Sequence, residues 1–468
     1  MAMTKRRDFI KTGVLGTAGI AIGGIGLSAK SYNSVIGAND RINLALIGIR
    51  NQGAVHIGNW SSIKDSHNVV LKTLCDADER LFDSRLKLAV EKGSAKPKTE
   101  WDLRKVFDDK DIHAVSIVMP NHWHALATIW ACQAGKHVYV EKPASYNIWE
   151  GKKMIEAAAK YKVLVQVGKN NRSNPNVREA IKFIHDGGIG EVFMARGLCY
   201  KARDSYGMSK DSEPPAGLHY DLWLGPAPWR QYNEKKGHYN WHWYWETGNG
   251  DTGNTGPHQL DIARWGLRKD EHPVSVYSTG GLYGLGKTGS STPGKLVYGD
   301  VEAYGKDATS QETPNTQTCS YRYKDGTLLE FETRGRYTNQ EGYKGVEVGN
   351  IFYGSDGYLE IAGDTWRAFR GREKDPFASS KELTGNHEAD HYRNFIEAVR
   401  SGKKEDLHCE IREGVISSDL AHLANISYRV GRSVTFDGAN ERFVNDPEAD
   451  MYLTRKEYRK PYVVPEKV

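Results

Sequence analysis

Apolar runs alternate with helical segments through the first part of the chain. Each run is short and bounded by polar or turn-forming residues, which predicts buried strands at residues 42–47, 69–75, 114–119 and 136–141. The helix predicted from Ala125 to Ala134 ends at Gly135, where a left-handed C′ glycine is common. This regular alternation predicts an α/β domain with a doubly wound parallel sheet at residues 39–165.

The pattern changes after residue 166. Strand-like runs are now separated by glycine and asparagine turns, with few helices between them, and they fall at residues 191–200, 274–279, 318–323, 328–333 and 351–354. Such spacing predicts an α+β domain with a mostly antiparallel sheet at residues 166–440. Helices are predicted at about residues 386–400 and 411–430, and the C-terminal tail at 441–468 is expected to pack back on the body.

Composition narrows the class of protein. Hydrophobic residues make up 39% and charged residues 26% of 468 residues, as in soluble globular proteins of two or three domains. The net charge of +5 is dispersed, so no nucleic-acid partner is expected. The five cysteines are far apart without a CxxC pair, which argues against a disulfide framework or a zinc site.

Two histidine pairs are candidate metal ligands. His122 and His124 flank a tryptophan, but no carboxylate or cysteine completes a site around them. His387 and His391 give the letters HExxH with Glu388, yet no third ligand follows, so a solvated helix face is the preferred interpretation. We therefore predict no metal.

The N-terminus has the pattern of an export signal. A basic stretch containing Arg6 and Arg7 precedes an apolar, glycine-rich run at residues 13–29. With Phe9 and Lys11 it resembles a twin-arginine (Tat) signal of bacteria, the alternatives being a Sec signal or an uncleaved anchor. We expect residues 1–38 to be signal and linker, the protein to reach the bacterial periplasm, and membrane contact only through this segment if it is uncleaved.

The loop after the first predicted strand has the frame of a dinucleotide site. Gly48 and Gly53 bracket a turn into a helix whose N-terminus would receive a pyrophosphate, and Arg50 stands where a middle glycine is usual. An arginine there puts the usual backbone approach in doubt but is able to contact phosphate itself. Asp76 ends the second strand, where an acid favours NAD over NADP by bonding the ribose 2′-hydroxyl. The alternative for Asp76 is a helix N-cap.

Charged, histidine and tryptophan residues near other predicted elements are further candidates for the site. Lys142 comes at the carboxyl end of a strand, where open parallel sheets bind ligands, although a Glu-Lys surface pair is the alternative. His258 lies near a predicted helix N-terminus, which should lower its pKa and leave a neutral base, the alternative for a lone histidine being structural. In the aromatic run at 239–245, Trp241 and Trp243 indicate either a carbohydrate-facing wall or core and oligomer contacts.

Several motifs in this order resemble the Gfo/Idh/MocA oxidoreductases, relatives of glucose-fructose oxidoreductase and inositol dehydrogenase. The resemblance spans about residues 41–465 and is carried by the glycine loop, Asp76, the Pro120-Asn121-x-x-His124 and Glu141-Lys142-Pro143 motifs, and the run at 166–172. It implies a Rossmann domain followed by a large, open-faced, mostly antiparallel α+β domain that often mediates dimers or tetramers. The implied cofactor contacts are Gly48, Arg50, Asn51, Gln52, Gly53, Asp76, Pro120, Asn121, His124, Glu141 and Lys142.

The resemblance also implies catalytic roles. The lysine of the Glu-Lys-Pro motif, Lys142, would sit between nicotinamide and substrate, and His258 would be the base. The family has an Asp-x-x-x-His pattern here, but this chain has Asn254, which cannot take a proton; Asp251 and Asp261 are the carboxylates that would compensate. The predicted substrate contacts are Lys142, Arg172, Lys201, Trp241, Trp243, Asn254 and His258.

The predicted function is hydride transfer between NAD and the carbinol or ketone carbon of a sugar, glycoside or polyol. Because free cofactor is scarce outside the cytoplasm, the cofactor is expected to be tightly held, in a homodimer or homotetramer. The alternatives are an NAD-dependent glycoside-cleaving enzyme that works by oxidation and elimination, and a cofactor-bound, non-catalytic sugar-binding protein.

Overall fold

The structure is a computed structural model that describes residues 40–201, 203, 206–283, 311–335, 345–384 and 387–468. The predicted signal and linker at residues 1–38 lie outside the described residues. Residues Ile42–Val468 form one unit by their internal contacts, and two sheets organise it.

The first sheet is six-stranded and entirely parallel, in the order β3-β2-β1-β4-β5-β6. Its strands are β1 Ile42–Ile47, β2 Val69–Cys75, β3 Lys98–Glu100, β4 Ala114–Ile117, β5 His137–Val140 and β6 Val165–Val167. The helices are α1 Asn51–Ser62, α2 Phe82–Glu91, α3 Leu103–Asp108, α4 Asn121–Gln133 and α5 Ile148–Tyr161. The predicted doubly wound sheet is confirmed, and its strand order reverses between β1 and β4, which is where such sheets bind ligands.

Helix α4 differs from its predicted bounds in a way that shapes the site. It begins at Asn121 instead of Ala125, so Asn121 and His124 belong to its first turn. Pro120 precedes the helix in an extended conformation and has no N–H that would need an intrahelical partner. The Pro-Asn-x-x-His motif is therefore a helix start at the carboxyl end of β4.

The second sheet has ten strands in the order β14-β13-β12-β11-β7-β10-β9-β8-β15-β16. They are β7 Val192–Cys199, β8 Ser275–Gly281, β9 Thr316–Arg322, β10 Leu328–Arg334, β11 Val348–Gly354, β12 Tyr358–Ala362, β13 Thr365–Phe369, β14 Ala378–Ser379, β15 Val434–Asp437 and β16 Arg442–Phe443. Only β7 and β10 pair in parallel, which confirms the mostly antiparallel sheet within the described chain. Burial alternates along β9 and β10, so one face packs on helices and the other is more open.

The helices of this half are α6 Pro175–His185, α7 Tyr220–Leu224, α8 Gly250–Asn254, α9 Gly256–Gly266, α10 Asp390–Ser401, α11 Ile411–Val430 and α12 Pro447–Asp450. Single 3₁₀ turns occur at Glu79–Leu81, Asn170–Ser173, Glu234–Lys236, Asn240–Trp243 and Lys404–Asp406. Helices α9 and α11 carry many buried residues and cover the second sheet. No helix among the described residues is long and apolar enough to cross a membrane.

The late elements of the chain pack against the first domain. Tyr392 of α10 stacks on Tyr139 of β5, with ring centroids 5.0 Å apart, and its ring edge meets Trp60 of α1. Tyr462 and Val464 of the tail pack in a second apolar cluster, which belongs to the first domain. Strand β6 also continues the first sheet to Val167, just past the predicted boundary at residue 165.

The HExxH letters do not form a helical face. Helix α10 begins at Asp390 and not at Asn386, which lies outside the described residues, and His387 precedes the helix, where its ring bonds Asp390 at 2.7 Å. His391 is 1% exposed and faces Ser173 and the carbonyl of Val167, so the solvated-face interpretation is wrong for this residue. Across the described chain, no group of three or more His, Cys, Asp or Glu side chains is placed to hold a metal ion.

Candidate active site

A cavity of about 420 Å³ opens at the carboxyl edge of the first sheet and is closed by residues of the second domain. Ligand sites for small molecules and cofactors are commonly of this size and place. The predicted site residues that line it are Gly48, Arg50, Asn51, Gln52, Gly53, Asp76, Pro120, Asn121, Glu141, Lys142, Lys201, Trp241, Asn254 and His258.

Two glycines let the chain pass close to the cavity. Gly48 has φ +90°, and a Cβ there would lie 2.3 Å from the carbonyl oxygen of Val118. A Cβ at Gly53 would lie 2.2 Å from the carbonyl oxygen of Gly48, so α1 packs directly on the loop. Both positions require glycine, one for its conformation and both for the approach of the backbone.

Helix α1 points its N-terminus into the cavity. Asn51, Gln52 and Gly53 form its first turn and line the cavity, and no side chain that the structure describes caps them. Uncapped first-turn N–H groups, together with the positive end of the helix dipole, suit an anion such as a pyrophosphate. Arg85 donates to the carbonyl of Ile49 at 2.7 Å and of Arg50 at 3.2 Å, which holds the loop in this conformation.

Arg50 lines the cavity, but its guanidinium is already engaged. It donates to Asp78 Oδ2 at 3.3 Å and makes a short contact with Nε2 of His238. Burial and the positive charge of Arg50 lower the pKa of His238 to about 4, so that ring is a neutral acceptor. The predicted phosphate contact of Arg50 therefore competes with two protein partners.

Asp76 is positioned at the tip of β2 and lines the cavity. Its Oδ2 accepts from the backbone N–H of Ile49 at 2.8 Å and its Oδ1 accepts from that of Asp78 at 2.9 Å. Burial raises its pKa to about 6. The N-cap alternative belongs instead to Asp78, whose side chain accepts from the N–H of Arg80.

Glu141 and Lys142 follow β5 and face the cavity. His56 bonds Glu141 Oε1 at 2.9 Å, and a Cβ at Gly168 would come within 3.0 Å of the same carboxylate. Burial opposes ionisation of Glu141, but the hydrogen bond from His56 and the charge of Lys142 outweigh it and lower the pKa to about 2. Lys142 Nζ donates to Asn254 O at 2.7 Å and to Asn254 Oδ1 at 3.0 Å. Burial lowers its pKa, while Glu141 opposes that change.

His258 lies in the first turn of α9, close enough to Lys142 to feel its charge. Its Nδ1 is buried and has no hydrogen-bond partner among the described residues, while the ring lines the cavity. Burial, followed by the charges of Lys142 and Lys169, lowers its pKa well below the usual value, which leaves a neutral imidazole. Asn254 ends the separate helix α8 and bonds Lys142, so it orients the lysine instead of pairing with the histidine.

The two compensating carboxylates are both occupied. Asp251 accepts from Arg203 Nε at 2.7 and 2.9 Å. Asp261 accepts from Arg172 at 2.8 and 2.9 Å and from Ser417. Neither carboxylate is the partner of His258, so the expectation of a relay acid is not met within the described chain.

Three predicted contact residues lie outside the cavity lining. His124 is 1% exposed, with its ring nitrogens 2.6 Å from the carbonyl of Pro143 and 2.7 Å from that of Met119, so it braces the backbone instead of reaching cofactor. Arg172 is buried in its pair with Asp261, which corrects its assignment as a holder of sugar hydroxyls. Trp243 is 4% exposed under Arg203, so it is core and not a sugar-facing wall.

The second domain supplies wall residues that the sequence prediction missed. They are Trp223, His238, Tyr239, His242 and Thr255, together with Arg203. His242 stacks on Trp241 with ring centroids 3.6 Å apart, and its pKa is lowered to about 3 by burial. The density of aromatic residues at 239–245 was the one available signal, but it did not separate cavity from core.

Residues 217–243, the crossing segment, tie the second domain to the loop after β2. Leu218 forms a β-bridge with Asp78, Glu79 N donates to the carbonyl of Gly217 at 2.9 Å, and His219 N donates to that of Ala77 at 2.8 Å. His219 also stacks on Trp101 of the cavity wall at 4.0 Å. The Asp76 end of the cavity is thus covered by residues of the other domain.

Both halves of the chain match models of the same protein family. Residues 42–169 match a model described as an oxidoreductase family, NAD-binding Rossmann fold. Residues 198–280 and 300–464 match the model of the C-terminal alpha/beta domain of that oxidoreductase family. The two matches together cover most of the chain.

Curated relatives match a shorter region. Levoglucosan dehydrogenase of Pseudarthrobacter phenanthrenivorans is 32% identical over 178 residues, 38% of this chain and 39% of that protein. Myo-inositol 2-dehydrogenase of Thermotoga maritima is 28% identical over 156 residues, 33% of this chain and 44% of that protein. The chain thus spans about two fifths of the length of the curated relatives it matches.

A solved structure shows a similar fold over nearly the whole chain. Aldose-aldose oxidoreductase from Caulobacter crescentus, complexed with glycerol, superposes with a TM-score of 0.60 at 17% identity. The alignment covers 85% of this chain and 100% of the other. At this identity the likeness describes the fold.

Proposed function

Because this chain belongs to the Gfo/Idh/MocA oxidoreductase family, we propose that it is a dehydrogenase or reductase of the CH–OH groups of sugars, glycosides or polyols. NAD is the cofactor of the family's Rossmann domain. The observation that carries the proposal is that Lys142 and a neutral His258 face the same cavity as the glycine loop. The sugar and polyol dehydrogenases among the relatives support the substrate class.

The residues present fit NAD. The close approach at Gly48 and the uncapped first turn of α1 suit the pyrophosphate, and Asp76 suits a ribose hydroxyl while repelling a 2′-phosphate. Asn121, Pro120 and Glu141 would line the nicotinamide end. When bound, NAD supplies the hydride acceptor or donor.

His258 is proposed to hold the substrate proton. A base must be unprotonated before it accepts a proton, and burial beside Lys142 and Lys169 keeps this imidazole neutral. Asn254 cannot share the proton, and Asp251 and Asp261 are held by arginines. The histidine therefore acts as a single base without a carboxylate partner among the described residues.

Lys142 is proposed to stabilise the substrate oxygen. An ammonium has three N–H donors, and the two oxygens of Asn254 take two of them. The remaining donor is available for the alkoxide that develops as the proton leaves. Fixed donors of this kind contribute about 10²- to 10³-fold to turnover.

A tightly held cofactor forms part of the proposal. The crossing segment covers the Asp76 end of the cavity through the Leu218 bridge and the His238 contacts with Arg50 and Asp78. Cofactor exchange would require this segment to move. Retention of the cofactor also suits a protein that is exported. From Arg6 and Arg7 we propose export by the Tat route to the periplasm. Replacing both arginines by lysine should keep the protein out of the periplasmic fraction, which cell fractionation measures.

The open face of the second sheet is the surface proposed for a homodimer or homotetramer. Light scattering of the purified protein measures that state directly. A monomer at micromolar concentration would contradict it.

The direct test of activity follows NADH formation at 340 nm with a panel of sugars and polyols. Wild-type protein should reduce NAD with some of them, while Lys142→Met should retain NAD binding and lose turnover. A wild-type protein that binds NAD and reacts with no member of the panel would favour the non-catalytic sugar-binding alternative.

A second candidate is glycoside cleavage by transient oxidation and elimination. It is favoured by relatives named glycosyl hydrolase family 109 proteins, one from Shewanella pealeana being 24% identical over 203 residues. Transient oxidation makes the neighbouring C–H acidic and allows the leaving group to depart. Release of aglycone from nitrophenyl glycosides without net NADH would support it, and NADH accumulation without aglycone would exclude it.

A further inference from the structure

One cation of the cavity, the ammonium of Lys201, has no partner among the described residues. Lys201 is exposed and lines the cavity, and its ammonium makes no hydrogen bond or ion pair with any residue that the structure describes. Its charge is close enough to Lys142 and His258 to lower the pKa of both groups. A lysine on an open surface needs no partner, but this one shares a cavity wall with the proposed catalytic groups.

The backbone on either side of Lys201 is fixed. It follows the central strand β7, and Tyr200 N donates to the carbonyl of Glu347 at 2.9 Å. On the other side, Arg203 N donates to the carbonyl of Gly335 at 2.9 Å. The ammonium is therefore carried on a held backbone and keeps only the freedom of its side chain.

The other charged side chains near Lys201 already have hydrogen-bond partners within the protein. Arg203 is neutralised by two hydrogen bonds to Asp251. Lys142 donates to two neutral oxygens of Asn254, and Glu141 is bonded to His56. The ammonium groups of Lys142 and Lys201 thus line the same cavity, and the carboxylate of Glu141 beside Lys142 is itself bonded to His56.

We propose that the substrate is an anionic carbohydrate, a sugar acid whose carboxylate is held by Lys201. This rests on the proposed function and names the substrate class of the same site. A carboxylate supplies one negative charge, which matches the ammonium of Lys201 that has no partner among the described residues. The guanidinium of Arg203, the better fork for a phosphate, already donates from Nε to Asp251 and from Nη1 to Tyr239.

The test compares substrates that differ in charge and hardly in shape. Binding of hexuronates, hexonates and the matched neutral hexuronamides and hexoses is measured by calorimetry on wild-type protein loaded with NADH. The same titrations are made on Lys201→Met, on Lys201→Arg, and on Lys210→Met, a control in an exposed lysine outside the cavity lining.

The wild-type protein should bind at least one acid about 10- to 100-fold more tightly than its neutral partner, the range of a charge-assisted hydrogen bond. Lys201→Met should remove that preference, so that the acid and its neutral partner bind alike, Lys201→Arg should restore most of it, and Lys210→Met should bind as wild type does. The acid preference should also weaken with added salt.

Three results would overturn the proposal: no acid in the panel binds, the neutral member binds as tightly as its acid, or the preference persists in Lys201→Met. Each is separate from failure of the proposed function. If the proposed function itself failed, NADH would not bind, or neither the acids nor the neutral sugars would reduce NAD.

Discussion

The two ends of the cavity are built in different ways. The end near Asp76 is made of backbone, with glycines where a Cβ would collide and an uncapped helix N-terminus. The end near Lys142 is made of charged side chains from separate segments of the chain, held by ion pairs and by the amide of Asn254. Substitutions that add atoms should impair the end near Asp76, and substitutions that remove charges should impair the end near Lys142.

The largest expected effect is that of Lys142→Met, which should change turnover and leave NAD binding nearly unchanged. Lys142→Met removes the donor to the reacting oxygen and should lower kcat about 10³-fold, or about 4 kcal/mol in the barrier. NAD affinity should change less than about threefold, because the glycine loop and Asp76 are untouched, a change well under 1.4 kcal/mol. Turnover and calorimetric NAD titration measure both. Loss of NAD binding as large as loss of turnover would break the distinction.

A glycine pair tests the other end. Gly48→Ala forces an unfavourable positive φ and a Cβ 2.3 Å from the Val118 carbonyl oxygen. We expect a loss of about 2–4 kcal/mol, shared between folding stability and NAD binding. Urea denaturation with and without NAD measures it.

Gly58→Ala is the matched control. Gly58 lies in helix α1, which follows the loop of Gly48, and no described atom lies within 4 Å of its added Cβ, so helix propensity should leave the protein equally or slightly more stable, by at most about 1 kcal/mol. If both alanines destabilise equally, close approach is not the reason for Gly48.

The site residues that follow strand ends were largely predictable because their signals are local. Gly48, Gly53, Asp76 and Lys142 each lie within a few residues of the end of a strand, and parallel strand ends share one edge. The loop, the acid and the lysine therefore converge by topology alone.

The reacting end was predicted less well because side-chain direction depends on distant partners. Arg172 turns to Asp261, and Trp243 is buried although its neighbour Trp241 lines the cavity. The bridge of Leu218 to Asp78 joins residues far apart in the chain. No local pattern indicates which of these directions a side chain takes.

The crossing segment joins the two ends of the cavity, and His238→Ala tests how much it contributes to cofactor retention. The substitution removes the contacts of the ring with Arg50 and Asp78 and should speed NAD dissociation about 3- to 10-fold, since one partly exposed hydrogen bond is worth about 1 kcal/mol. Stopped-flow fluorescence of NADH release measures the rate.

His67→Ala is the control, because His67 also faces a carboxylate at 3.3 Å, on Glu397, away from the cavity. Its NADH release should match wild type. Equal release from His238→Ala and wild type would show that the segment does not retain cofactor.

The smallest effect concerns the pH limits of sugar oxidation. His258 must be neutral, so kcat/KM should fall as pH decreases through its lowered pKa, well below 6.5. Lys142 must be charged, so kcat/KM should fall as pH rises through a pKa below 10.5. Lys142→Arg should move the basic limit out of range, and an acid limit at or above pH 6.5 would contradict the neutral base.

The most direct measurement is the identity of the nucleotide that the protein carries. The protein is purified without added cofactor, denatured, and the released nucleotide is identified by mass, followed by titration of the protein with NAD and NADP. Stoichiometric NAD or NADH, or selective binding of added NAD, is the expected result. A protein that carries no nucleotide and binds no added NAD would contradict the account of both ends of the cavity.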